Sequence, residues 1–197
     1  MIPGRKTIAV DKDLADKLAQ LAKEEGKTIF SIINDLIKNE LEVAELFNES
    51  CSEIIKKYQE LMLARDIGLC LMPRSVSNAA YAVAFKDGYD QAILNEYKKW
   101  GEWLGTYLKT RFPSKEIEAL YGILNVIYWK DANLELDLRP EGDLEPKQVI
   151  IRIFGSAVKE EFSSCIAVAC EQIFKAMGYK LVEQDILKGI CKLEFQK

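Results

Sequence analysis

The sequence predicts an α+β protein: a short strand-helix-helix segment at the N-terminus, followed by a larger α+β domain with an antiparallel sheet. Three observations predict it. Residues 5–10 alternate as a strand does, apolar positions then recur at three- and four-residue steps, and near Leu134 the period drops to two and does so again at the C-terminus. The order of helices, two strands, a helix and two strands is that of an antiparallel sheet covered by helices.

In Arg5-Lys6-Thr7-Ile8-Ala9-Val10, successive side chains point to opposite sides, so Lys6, Ile8 and Val10 share one face and Arg5, Thr7 and Ala9 the other. Asp11 opens a helix with Leu14, Leu18, Leu21 and Ala22 on one stripe, which ends at Gly26. Thr28 opens a second helix, with Ile29, Ile32, Ile33, Leu36 and Ile37 on its stripe. Residues 41–64 contain no Gly or Pro and read as one continuous connecting helix. Gly68 and Pro73 punctuate the chain, and a helix is expected over 76–85. The segment 90–111 is a clear helix, with Ile93, Tyr97, Trp100, Leu104 and Leu108 to one side and Gly101 and Gly105 letting a neighbour approach closely.

After Pro113, residues 115–129 read as a further apolar helix. Leu134, Leu136 and Leu138 then alternate with Glu135 and Asp137, Pro140 and Gly142 make a turn, and 149–154 supplies the returning strand. Residues 157–177 form the last helix, capped by Gly178, and 179–183 with 189–195 close the chain as a hairpin. These elements divide the chain into 1–44, a connecting helix over 45–64, and a domain over 65–197.

Composition narrows the function classes. At 197 residues with 49% hydrophobic content, the chain can bury a real core, and two domains fit better than one. A net charge of −4 excludes a generally basic nucleic-acid scaffold and leaves any such affinity to a local site. Histidine is absent, which removes Ser-His-Asp and Cys-His catalysis and the commonest transition-metal ligand. Five cysteines, at positions 51, 70, 165, 170 and 191, lack the spacing of a secreted disulfide framework. With no apolar run approaching eighteen residues and no leader pattern, the expectation is a cytoplasmic protein without a membrane partner.

Arg5-x-Thr7-Ile8-x-Val10-Asp11 with Leu14, Leu18, Gly26 and Thr28 resembles the ribbon-helix-helix family of the MetJ, Arc and CopG repressors. The resemblance covers residues 5–41 and implies a homodimer, or dimer of dimers, whose paired strands enter the major groove of double-stranded DNA. On that pattern Arg5, Thr7 and Ala9 are the base-reading residues, Ala9 offering only apolar contact to a thymine methyl. Lys27, the Thr28 hydroxyl and the N–H groups of Ile29 and Phe30 are the phosphate-binding set. Residues 1–41 carry seven basic and seven acidic side chains, so the segment equally fits a plain amphipathic helical hairpin.

Residues 65–197 resemble 4-vinyl-reductase-type small-molecule sensor domains, through Trp100-Gly101-x-x-Leu104-Gly105 and the tail from Gly178 to Phe195. That resemblance implies a small hydrophobic or tetrapyrrole-like ligand; of the paired cysteines it implies across the final hairpin, only Cys191 is present. Trp100, Trp103, Leu104, Tyr107 and Cys170 are the candidate ligand-pocket residues, although an aromatic stripe at helical spacing also fits core. Cys165 and Cys170 lie about 140° apart on one helix and do not suit a shared metal. No phosphate-binding loop, dinucleotide fingerprint or metal box occurs, so no enzyme and no catalytic residue is expected. The expected function is a homodimeric transcriptional regulator with a ligand-sensing C-terminal domain; the alternative is an antitoxin that autoregulates its operon.

Overall fold

The computed structural model describes residues 7–70, 72–128, 132–139, 146–155 and 159–197. The chain divides into two compact units, Met1–Tyr58 and Gln59–Lys197. The first unit holds α1 (Lys12–Glu24), α2 (Ile29–Phe47) and the start of α3 (Cys51–Asp66). Gly26 adopts φ 64°, the left-handed conformation that side chains resist, and lets Lys27 N–H close onto Ala22 O at 2.9 Å. Two residues later the Thr28 hydroxyl accepts from Ser31 N–H at 3.1 Å and starts α2 as an N-cap. The apolar stripes of both helices stay largely in water. Among the described residues of this unit only Ala22 and Ile32 are buried, while Leu14, Leu36 and Leu41 are 57%, 54% and 65% exposed.

Two expectations for this unit change. Residues 7–10 form no strand, because an isolated strand leaves its backbone groups unpaired and a single chain offers it no neighbour; Arg5 and Lys6 lie outside the described residues. The continuous helix over 41–64 is broken at 48–50. Asn48 takes φ 55° and its N–H returns to Ala44 O at 3.0 Å, ending α2. Ser50 and Glu53 then form a reciprocal capping box: Glu53 Oε2 accepts from Ser50 N–H at 2.7 Å, and Ser50 Oγ accepts from Glu53 N–H at 3.3 Å. The Ser50 N–H and hydroxyl hold the Glu53 carboxyl below its ordinary range.

The second unit comprises the rest of α3, α4 (Arg74–Lys86), α5 (Asp90–Arg111), α6 (Glu116–Tyr128), β1 (Asn133–Arg139), β2 (Gln148–Phe154), α7 (Glu160–Ala176), β3 (Lys180–Leu187) and β4 (Ile190–Gln196). All four strands are antiparallel, in the order β1-β2-β4-β3. The α+β class with an antiparallel sheet is therefore present. The turn expected at Pro140 and Gly142 and the start of the last helix at 157–158 lie outside the described residues, as does Trp129.

Alternation sets the two faces of the sheet. Val149, Ile151 and Ile153 of β2 lie in register with Phe195, Leu193 and Cys191 of β4, and all six are buried. On the other face Arg152 reaches Asp137 at 3.9 Å, and Lys192 bridges Glu183 at 2.6 Å and Glu194 at 3.7 Å. Lys192 keeps the Glu183 carboxyl below its usual range. The edge strands carry charge: β1 presents Glu135, Asp137 and Arg139, and β3, bearing Lys180, Glu183 and Asp185, shifts register between Leu181 and Glu183.

α7 is the central helix, with nine buried residues. It packs on β3 and β4, where Phe174 stacks on Phe195 at 4.0 Å with the planes 13° apart. It also packs on α5, whose Gly101 and Gly105 lie directly against Ala169, Ile173 and Ala176. α4, in contrast, buries none of its residues.

Candidate functional site

Each unit contains one candidate site. In the first, the turn between α1 and α2 presents Lys27, whose Nζ is 2.9 Å from Glu25 and 4.0 Å from Asp35. The Glu25 carboxylate raises the Lys27 pKa above its ordinary value. Thr28 is engaged as the N-cap, and Ile29 and Phe30 are exposed beside it. Thr7 and Ala9 are exposed and lack regular structure, and Arg5 lies outside the described residues.

In the second unit a cavity of about 1240 Å³ opens between the end of α3, α4, the first half of α5, the end of α6 and the start of α7. Drug-sized pockets span about 300–1,000 Å³, so the volume suits a bulky ligand. One wall is a chain of aromatic rings. Tyr97 meets Trp100 edge-on at 6.2 Å, Tyr81 lies 5.4 Å from Phe162, and Tyr128 lies 5.7 Å from Phe162. The Tyr81 and Tyr97 hydroxyls share a hydrogen bond that joins the two ends of this chain. Burial pushes all three phenols above their usual value, with the Tyr81 bond adding to the rise at Tyr97, so each is neutral at working pH.

Two hydroxyls beside this wall are orphans. Tyr128 Oη and Ser163 Oγ are buried, and Ser163 is near enough to oppose the rise at Tyr128, yet neither oxygen has a partner at hydrogen-bond geometry. A buried hydroxyl left unpaired costs about 1–3 kcal/mol. The remaining wall is aliphatic, with Leu61, Leu69, Ile127 and Ile166. Among the described residues its charged members are Arg65, Arg74 and Glu96; Arg65 is 3.2 Å from Asp66, and Glu96 is 2.6 Å from Lys99.

Of the five residues proposed from sequence for a ligand pocket, only Trp100 lines this cavity. Leu104 and Cys170 are closed core, Trp103 is half exposed and stacks on Tyr107 at 5.4 Å, and Tyr107 packs against the core through Phe112. Gly101 and Gly105 bring the later turns of α5 against α7 with no space between, which leaves Ile93, Glu96, Tyr97 and Trp100 to face the cavity.

Cys165, Cys170 and Cys191 are buried, and Cys70 is exposed at the cavity. Desolvation pushes the Cys165 thiol up to about 12 and the Cys191 thiol to about 11, and raises Cys170 in the same direction. Thiols react as thiolates, so these three are inert in the native state. With Ellman's reagent Cys70 is expected to react first and Cys51, held back by its hydrogen bond to Glu40, more slowly; the other three should react only on unfolding. Fast labelling of all five in native buffer would contradict this burial. Among the described residues no cluster of three His, Cys, Asp or Glu side chains could hold a metal, and no helix is long and apolar enough to cross a membrane.

Neither a family model nor a curated protein matches the chain. A solved structure described as "Cs H-NOX mutant with unnatural amino acid 4-cyano-L-phenylalanine at site 5" aligns over 84% of this chain and 92% of its own, at 12% identity. Its TM-score of 0.35 is too low to bear on fold or function.

Proposed function

We propose that the chain is a homodimeric DNA-binding transcriptional regulator, a ribbon-helix-helix reader joined to a domain that senses a small ligand. The observation that carries this reading is the uncovered stripe of α1 and α2. A helix pair that leaves its large aliphatic side chains in water within one chain calls for a second copy, and residues 5–10 alternate as a strand pairing with its own copy would. In such a dimer Arg5, Thr7 and Ala9 meet base edges in the major groove, and Lys27 with the Thr28-capped start of α2 meets a phosphate. Lys27 exchanges Glu25 for that phosphate at small cost, since exposed ion pairs contribute little.

The cavity supports the sensing half. A ligand that favours one arrangement of the dimer changes operator affinity, and DNA changes ligand affinity by the same factor. The reading assigns the chain no catalytic step and places it in the cytoplasm.

Sedimentation of the full chain with DNA-binding titrations tests the proposal. The protein should be a dimer, Arg5→Ala should cost about 1–3 kcal/mol on the specific site alone, and Lys27→Ala should weaken all sequences alike and flatten the salt dependence. A concentration-independent monomer, or equal losses on specific and random DNA for Arg5→Ala, would sink it.

A further inference from the structure

α4 borders the cavity without packing into a core. Ser77, Tyr81 and Ala84, at steps of four and three residues, form the stripe that lines the cavity, and on another side of the helix Val76 and Val83 are exposed. No residue of α4 is buried. A helix in a protein draws most of its stability from the apolar face it buries, and the inner stripe of α4 meets a cavity of about 1240 Å³. Tyr81 is the large side chain of that stripe and ties α4 to the body of the unit. Its hydroxyl shares a hydrogen bond with that of Tyr97 on α5, and its ring lies 5.4 Å from Phe162 on α7.

The turns on either side of α4 have room to move. Gly68 follows α3 at φ 84° and Gly88 separates α4 from α5 at φ 82°, and a side chain added at either would meet nothing within 4 Å. Hinges are loop or element-terminal positions of this kind, which absorb a change of backbone angle.

Resting on the sensor reading above, we propose that α4 is the lid of the cavity: it opens about the turns at Gly68 and Gly88 to admit a ligand, and a ligand inside holds it shut. An occupant that touches Tyr81 and Ala84 on one side and Trp100 on the other gives α4 apolar contact that its own packing does not supply. Occupancy is thereby converted into the ordering of one helix, a change that a neighbouring surface can read.

Hydrogen exchange of the full-length protein, read by mass spectrometry, tests the lid. In native buffer the amides of 78–86 should exchange about a hundredfold or more faster than those of 164–176, after correction for intrinsic rates, because a local opening exposes α4 and leaves α7 closed. Tyr81→Phe should speed exchange in α4 about fivefold, the worth of one net hydrogen bond, and leave α7 unchanged. Ala84→Leu reads the sign of the packing. Over a cavity the longer side chain gains contact and should slow exchange in α4 about tenfold; in a closely packed wall it would overfill the site and speed exchange. Saturating Nile red, an uncharged planar probe, should slow exchange in α4 about tenfold by the same contact. Protection of α4 equal to that of α7, faster exchange in Ala84→Leu, a Tyr81→Phe effect shared equally by α7, or no slowing with Nile red overturns the proposal. Slowing of α4 by Nile red with DNA affinity unchanged would retain the lid and sink the sensor reading instead.

Discussion

Gly101→Ala is expected to destabilise the second unit by about 3 kcal/mol, at the upper end of the usual cost of overpacking. Elsewhere in a helix the same change gains about 1 kcal/mol in propensity, so the sign of the effect is itself informative. A Cβ at Gly101 would fall 2.5 Å from Ala169 O, 2.9 Å from its Cα and 3.0 Å from its carbonyl carbon. All three are backbone atoms of α7, which no side-chain rotation can move aside, so the two helices must separate. Gly122 provides the control. Its added Cβ would meet only the flexible side chain of Glu60, at 3.1 Å, and Gly122→Ala should be neutral or mildly stabilising. Urea titrations of the two variants decide the matter. Native stability in Gly101→Ala would mean that α5 and α7 are not in close contact.

Phe195→Ala is expected to remove about 3–5 kcal/mol, the range for truncating a fully buried aromatic side chain. Phe195 is fully buried, and its ring stacks on Phe174 at 4.0 Å, where β4 meets α7. The loss takes in the transfer energy, the stacking and the cavity left between helix and sheet. Set against a typical total of about 5–15 kcal/mol, it is a large share of the stability, and nearly all of it at the lower end of that range. Trp103→Ala deletes a larger ring that is half exposed, and its stack on Tyr107 supports a loss of only about 1 kcal/mol. Thermal denaturation of the two variants should rank them in that order; a Trp103→Ala effect equal to that of Phe195→Ala would mean that Trp103 is covered in solution.

The helices of the second unit were legible where a single rule governs a long segment. The stripe over Asp90–Arg111 gives α5 its bounds, and the change of period at Leu134, together with the returning run at 149–154, gives the first hairpin. What was hidden depends on direction in space. Periodicity shows that α5 has an apolar side, but not that its later half meets α7 through glycines while its earlier half lines a cavity. The break at Asn48 has a signal in the sequence that the reading of 41–64 as one helix leaves unused: Ser50-Cys51-Ser52-Glu53 is a helix-start pattern, inside a segment that lacks Gly and Pro. The strand expected over 5–10 asks for a partner that one chain does not contain.

The charged edges of the sheet restrict how copies of this chain can associate. β1 offers Glu135, Asp137 and Arg139 at one side, and β3 ends the other with Lys180, Glu183 and Asp185 beside an irregular register. A strand from another molecule that docked there would bury charged side chains, and at β3 it would also meet an irregular ladder, the usual defences against edge-to-edge aggregation. Growth by strand addition is thereby blocked at both ends of the sheet. Self-association falls to surfaces that carry apolar side chains without such charges, so a purified sample should give a finite oligomer and not a fibre.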